Sequence, residues 1–173
     1  RCGLSRRIVV AYERGTTEPS AENLAALARE LEFPLPFFTA EELDAVRPDG
    51  VSFRSLSTMT ARDRDAVLAA GTIATELNRW LSERFNLPEA DVLDLPDHDP
   101  ELAAGAVRAA WGLGAQPAGN LVHLLESRGV RVFSLAEDCA TIDGFSLWRG
   151  ATPFVFLNTL KSAERGRFDA AHE

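Results

Sequence analysis

Cysteine is nearly absent from this chain: Cys2 and Cys139 are the only two in 173 residues. So few thiols make no disulfide framework, and no signal-peptide pattern opens the sequence, so a reducing cytoplasm is the expected compartment. Cys139 reads as an ordinary small residue rather than a ligand or redox sensor. No run of about 18 apolar residues is present, which leaves no membrane-spanning helix to propose. A positive charge balance is also missing. The net charge is −8 and the pI near 4.9, which excludes a protein coated in basic surface for nucleic acid. What remains, 46% apolar and 25% charged, is a globular composition, enough for one good core or for a small domain attached to a medium one.

The charge average conceals an asymmetry. Arg1, Arg6, Arg7 and Arg14 face Glu13 alone within residues 1–17, a local balance of +3, which leaves −11 for the rest. A small basic tip on an acidic body is compatible with DNA binding at one end.

Taken in order, Ser5 reads as an N-cap for a short helix from Arg6 to Arg14, and Gly15 as the residue that closes it with positive φ. Pro19-Ser20 opens a second helix with Leu24, Leu27, Ala28 and Leu31 at helical spacing, broken by Pro34 and Pro36. Phe37-Phe38 supplies an apolar plug, and a short acidic helix is expected near residues 40–46. Residues 47–57 read as a linker from the Pro-Asp-Gly turn and the serines after it. Thr60 then caps a long helix to about Phe85, with Val67, Ala70, Ile73, Ala74, Leu77, Leu81 and Phe85 as its apolar stripe and Trp80 at the edge. Such a helix must dock on something, as a core helix, a connector or a dimer surface.

Asp91 to Asp99 is an acidic connection. His98 sits there between carboxylates, which serve more simply as turns and caps than as metal ligands. Asp99-Pro100 starts a helix closed by Gly112, and another runs from about Ala118 to Ser127, stopped by Gly129. Its Leu121, Leu124 and Leu125 point inward, with His123 off that seam. Alternation then replaces helical spacing. Val130 to Leu135, Ile142 to Trp148 and Pro153 to Leu157 read as strands, the last two joined at Arg149-Gly150-Ala151. Ser162 caps a last helix, Arg165 to Glu173. The fold class is α+β: a partial helix-turn-helix head, a long connecting helix, then helices with a small, mostly antiparallel sheet leading into the last helix.

Two resemblances follow from quoted residues. Leu4-Ser-Arg-Arg-Ile-Val-Val-Ala-Tyr12-Glu-Arg-Gly15, followed by Pro19-Ser-Ala-Glu-Asn-Leu24, resembles the second half of an XRE (Cro/repressor-like) helix-turn-helix domain over residues 1–46. The resemblance implies that Arg6 to Glu13 is the recognition helix, with Ser5, Arg6 and Arg7 facing double-stranded DNA and Val9 and Tyr12 facing the core. Val10 and Ala11 depart from the usual polar readers, so base recognition is expected either to be reduced or to lean on thymine methyl contacts. It further implies a homodimer on paired half-sites.

Leu124 to Val132, the Asp143-Gly-Phe-Ser-Leu-Trp hairpin, Phe156-Leu-Asn158 and Arg165-Gly-Arg-Phe-Asp-Ala-Ala-His-Glu173 resemble the ImmA/IrrE metallopeptidase family over about residues 100–173. By that resemblance His172 is a zinc ligand and Glu173 the catalytic general base of an H-E-x-x-H site. The second histidine of that motif has no counterpart here, so the chain as given is expected to be a catalytically inactive fragment, with both ends missing, of a zinc-binding parent. Stopping at Glu173 is also expected to leave an exposed apolar patch near Phe168 and Ala171, with weak stability.

The domain division expected is 1–46 for the helix-turn-helix, 47–99 for linker and long helix, and 100–173 for the N-terminal part of the peptidase-like domain. The functions implied are a DNA-binding transcription regulator whose C-terminal domain acts as sensor or peptidase on a protein substrate or effector; a zinc endopeptidase that cleaves a repressor or partner protein; or a helical interaction protein with neither site active.

Overall fold

The computed structural model describes residues 3–48, 51–53, 59–135 and 142–172. The chain divides into two compact units, Arg1–Leu43 and Asp44–Glu173. Cys2, Cys139 and the turn at residues 49–50 lie outside the described residues, as do the serines at 55 and 57.

The first unit holds α1 (Arg6–Glu13), α2 (Ala21–Glu30) and a 3-10 helix at Leu35–Phe38. Ser5 and Ser20 cap the two α-helices, their hydroxyls accepting from the Ile8 and Asn23 backbone N–H groups. Both helices end in the same pair of bonds. Gly15 donates to the Tyr12 carbonyl and Thr16 to Ala11 after α1; Glu32 donates to Arg29 and Phe33 to Ala28 after α2. This closure requires a left-handed residue just past the helix, and Gly15 takes it at φ +65°. Glu32 takes the same role at φ +57°, the one non-glycine residue with positive φ among the described residues. Phe33, Phe37 and Phe38 form an aromatic cluster, with centroids 4.6–6.4 Å apart.

The second unit is α+β. Its strands β1 (Val51–Phe53), β2 (Arg131–Ser134), β3 (Gly144–Arg149) and β4 (Thr152–Leu157) form one sheet in the order β1-β3-β4-β2. The β1–β3 and β3–β4 pairs are antiparallel and the β2–β4 pair parallel. Gly150 (φ +58°) and Ala151 make the two-residue turn between β3 and β4. Alternation sends the two faces of the sheet to different helices. Phe145 and Leu147 of β3 and Phe154 and Phe156 of β4 pack with Val67 and Ala74 of α3 (Ala61–Ser82). Val155 and Leu157 of β4 turn the other way, toward Leu121 and Leu125 of α5 (Leu121–Ser127) and Ala170 of α6 (Ala163–His172). The remaining helix, α4 (Pro100–Ala110), is capped by Asp99 with Pro100 at its start.

Four sequence expectations change. No helix forms near 40–46, because tertiary bonds hold that stretch in irregular form. Val46 is buried in the α3-side core, its N–H donates to Thr72 Oγ1, and Arg149 donates to the Asp44 carbonyl. Within the stretch read as linker, Val51–Phe53 is a strand: its pairing with β3 supplies bonds that composition does not reveal. Third, α3 ends at Ser82, and its buried residues are Val67, Gly71 and Ala74. Ile73 and Leu77 are nearly half exposed (44% and 46%). The packed face turns toward Gly71, where a Cβ would come within 3.3 Å of Leu147 Cδ2, so the missing side chain lets the helix approach β3. Last, α5 begins at Leu121 rather than Ala118, with Asn120 accepting from the His123 N–H as its cap.

Gly129 closes α5 at φ +79°. A Cβ there would sit 2.1 Å from the Glu89 carbonyl oxygen, so the backbone of residues 89–90 crosses where only glycine leaves room. That crossing is fastened by the Asp91 N–H donating to the Arg128 carbonyl, Trp111 Nε1 donating to the Asp91 carbonyl, and an Arg128–Asp91 ion pair of 2.7 Å. Among the described residues no helix is long and apolar enough to cross a membrane.

Candidate functional site

Two sites were implied by the sequence, and they lie in different units. In the first, Ser5, Arg6 and Arg7 are exposed at the N-terminal end of α1. Ile8 to Tyr12 are half-buried. The Tyr12 hydroxyl accepts from Asn23 Nδ2 at 2.9 Å, fixing one side of α1 against α2. Arg6, Arg7, Val10 and Arg14, separated by three or four residues, share the side of the helix away from Tyr12. Helix N-termini attract phosphate through unpaired N–H groups, and two arginines beside one add charge and guanidinium donors. This end of α1 is therefore locally basic, with both arginines exposed.

In the second unit, α6 carries the sequence motif. Ser162 Oγ accepts from the Arg165 N–H at its start. The exposed Glu164 carboxyl is held below the usual carboxylate range by hydrogen bonds from its own backbone N–H and from the Ser162 hydroxyl. Both arginines of the Arg165-Gly-Arg167 signature then anchor the helix. Arg165 pairs with Asp143 just before β3 at 2.6 Å and with Asp169 one turn further along α6 at 3.3 Å. Lys161 pairs with Asp143 as well. Arg167 donates to the Ala118 and Gly119 carbonyls ahead of α5. Buried Asn158 completes the frame: its Nδ2 donates to the Ile142 carbonyl and its Oδ1 accepts from the Leu160 N–H. Asp169 is 1% exposed, so the helix presents one carboxylate inward to this cluster and His172 outward.

His172 is exposed and stacks on Phe168, with centroids 6.4 Å apart. Phe168 is itself 56% exposed and Ala171 is exposed, which is the apolar patch the sequence led us to expect. The patch continues into an open groove of about 1100 Å³, walled by Val92, Trp111, Leu124, Trp148, Pro153 and Phe168 among others.

Zinc requires four donors, or three and a water. Glu173 lies outside the described residues, and among the described residues no group of three or more His, Cys, Asp or Glu side chains could hold a metal. His98 lies exposed in a turn whose N–H donates to the Leu95 carbonyl, and His123 is exposed on α5. One imidazole with a neighbouring glutamate in sequence is fewer donors than a zinc ion requires, and these residues by themselves do not fit one.

Residues 1–38 match the family model of the helix-turn-helix, which places α1 and α2 in a DNA-binding class. Residues 125–173, from the end of α5 through α6, match the model of the IrrE N-terminal-like domain. The chain therefore carries an XRE-type helix-turn-helix segment fused to an IrrE N-terminal-like segment. No curated protein and no solved structure matches it.

The side chains that hold α6 in place come from several parts of the fold. Arg165 and Asp169 stand at i and i+4 and could have been read as a helical pair. Asp143, Lys161 and the Ala118–Gly119 carbonyls could not, because only the fold brings them to α6.

Proposed function

We propose that this chain is part of a DNA-binding transcription regulator whose IrrE N-terminal-like segment acts as a sensor or peptidase. The observation that carries the reading is α1 itself: Ser5, Arg6 and Arg7 are exposed at its N-terminal end while Tyr12 is bonded to Asn23 on the opposite side. These three residues would meet duplex DNA in the major groove, Arg6 and Arg7 at phosphates and guanine edges. A homodimer on paired half-sites and a cytoplasmic location accompany this reading. Titration of a duplex across a salt series tests it. Binding should weaken steeply with salt, and Arg6→Ala with Arg7→Ala should flatten the log–log slope by about 2. Affinity that does not depend on salt or on either arginine would remove the proposal.

A second reading is supported by the anchored α6. A helix fixed by Arg165 and Arg167, with His172 turned outward beside an apolar groove, suits a zinc endopeptidase that cleaves a protein partner. His172 would then be a ligand and Glu173 the general base. Proteolysis of a candidate protein partner, with and without Glu173→Gln, decides between sensor and peptidase. Tight stoichiometric zinc on the present chain alone would contradict the donor count.

A further inference from the structure

We infer that the outward face of α3 is the interface between two copies of this chain, which pair with their α3 helices antiparallel. The homodimer proposed above follows from half-sites on DNA; this surface is assigned from α3 itself and stands without DNA. One side of the helix is taken by the core, where Val67, Gly71 and Ala74 are buried. The other side carries Ala66, Ala69, Ile73, Leu77 and Trp80, all exposed, the last three by nearly half. They follow one another in steps of three and four, which keeps them on one face of the helix over about four turns. This seam is graded in size. Its N-terminal half holds two alanines and its C-terminal half a leucine and a tryptophan, with Ile73 at the middle. Two parallel copies would set Trp80 against Trp80 and leave a gap between alanines. Turned end for end about Ile73, the same helices set Trp80 against Ala66 of the other copy and Leu77 against its Ala69. Each large side chain then meets a small one, and both copies gain the same contacts, as a two-fold interface requires. The charges beside the seam agree with that direction. Arg62 and Asp65 flank its alanine end, and Arg79 and Glu83 its tryptophan end. Antiparallel copies bring Arg62 to Glu83 and Asp65 to Arg79, whereas parallel copies bring like charges together. Arg79 also pairs with Glu76 and Glu83 along its own helix, so these exposed charges set direction more than affinity.

Sedimentation of the whole chain without DNA, over micromolar concentrations, should show a monomer–dimer equilibrium, as a contact at the small end of specific interfaces gives. Leu77→Lys puts a charge into the seam of both copies and should raise the dissociation constant about tenfold or more. Its helical circular dichroism should stay as in wild type, because Leu77 is nearly half exposed. Ala69→Cys and Leu77→Cys, each in a chain with Cys2 and Cys139 replaced by serine, report direction. Mixed, the two variants should join through a disulfide; kept apart, neither should cross-link. A wild-type chain that stays monomeric, a dimer indifferent to Leu77→Lys, or cross-linking of each cysteine variant with itself overturns the inference and leaves DNA binding by α1 standing. If Leu77→Lys loses its helical signal, the cross-linking pattern decides. A dimer with this pattern that does not bind duplex DNA supports the inference and removes the DNA-binding reading alone.

Discussion

Between Arg1 and Leu43, Ala28 is the one described residue that is buried, and Leu31, Phe33, Leu35 and Phe37 are each at least 38% exposed. Between Asp44 and Glu173, Phe145, Phe154, Phe156 and Val67 are at most 1% exposed, layered between α3 and a sheet that α5 and α6 cover on its other side. The two units hold their candidate sites by correspondingly different means. In the first, helices of eight and ten residues draw on caps and on the Tyr12–Asn23 hydrogen bond, because such lengths do not hold alone. In the second, the motif helix is tied by salt bridges and carbonyl contacts to elements already fixed by the core. Local chain chemistry therefore governs the order of α1, and tertiary packing governs the order of α6. Substitutions in each unit can break or sharpen that contrast. Trp80, Trp111 and Trp148, all the tryptophans of the chain, lie in the second unit, so their fluorescence reports on it alone.

The largest effect is expected at Gly129. Alanine there combines a strained positive φ with a Cβ driven into the Glu89–Ala90 backbone, a cost of about 3 kcal/mol or more. Urea unfolding followed by tryptophan fluorescence should show the loss, while the amide protection of α1 and α2 stays as it was. A midpoint unchanged from wild type would mean that the crossing of residues 89–91 over α5 is not a fixed part of the packed unit.

Arg165→Met is the next test, since it keeps the aliphatic stem and removes the charge shared by Asp143 and Asp169. Arg165 is 44% exposed, so solvent screening reduces what a fully buried pair would lose, and about 1–2 kcal/mol is expected. Faster amide exchange confined to α6 would identify Arg165 as the anchor of the motif helix. Uniform destabilisation across the sheet would show instead that the cluster supports the whole unit.

Local signals explain which features were legible in the sequence. Ser5, Thr60 and Asp99 all cap the helices they were read to cap, and Gly15, Gly112 and Gly129 all stop helices at positive φ. Among the strands, β4 was visible as a short apolar run, Pro153–Leu157, that is buried on both faces. Features that need a distant partner were hidden. β1 has three residues and owes its existence to β3, and the stretch near residues 40–46 carries helix-forming acids yet stays irregular around buried Val46. The same division applies to the sites. Ser5, Arg6, Arg7 and His172 were readable by position, whereas Asp143, Lys161 and the Ala118–Gly119 carbonyls act on α6 through contacts that span the fold.

In the first unit, Tyr12→Phe removes the hydroxyl that accepts from Asn23 and leaves the ring in place. With the bond part-buried, about 1 kcal/mol should be lost, seen as reduced amide protection in α1 and α2 together. Its counterpart in DNA binding is a weaker complex with the salt slope unchanged, because no arginine has been removed. Loss of protection in α1 alone would indicate that the two helices do not order one another.

The smallest effect, and the one with opposite sign, belongs to Glu32. Its backbone closes α2 at φ +57° in the bonding pattern that Gly15 supplies to α1, where a side chain costs energy that glycine avoids. Glu32→Gly should therefore stabilise the unit by about 0.5–1 kcal/mol, the relief of strain being partly offset by the freedom glycine adds to the unfolded chain. Gly15→Ala is the matched control. No heavy atom lies within 4 Å of a Cβ built on Gly15, so alanine there imposes the backbone cost without a clash, unlike at Gly129. Amide protection in α2 should rise with Glu32→Gly, and protection in α1 should fall with Gly15→Ala by a similar amount. If Glu32→Gly instead lowers protection, the glutamate side chain contributes more than the strained backbone costs, and helix closure in this unit depends on side-chain contacts as α6 does in the other.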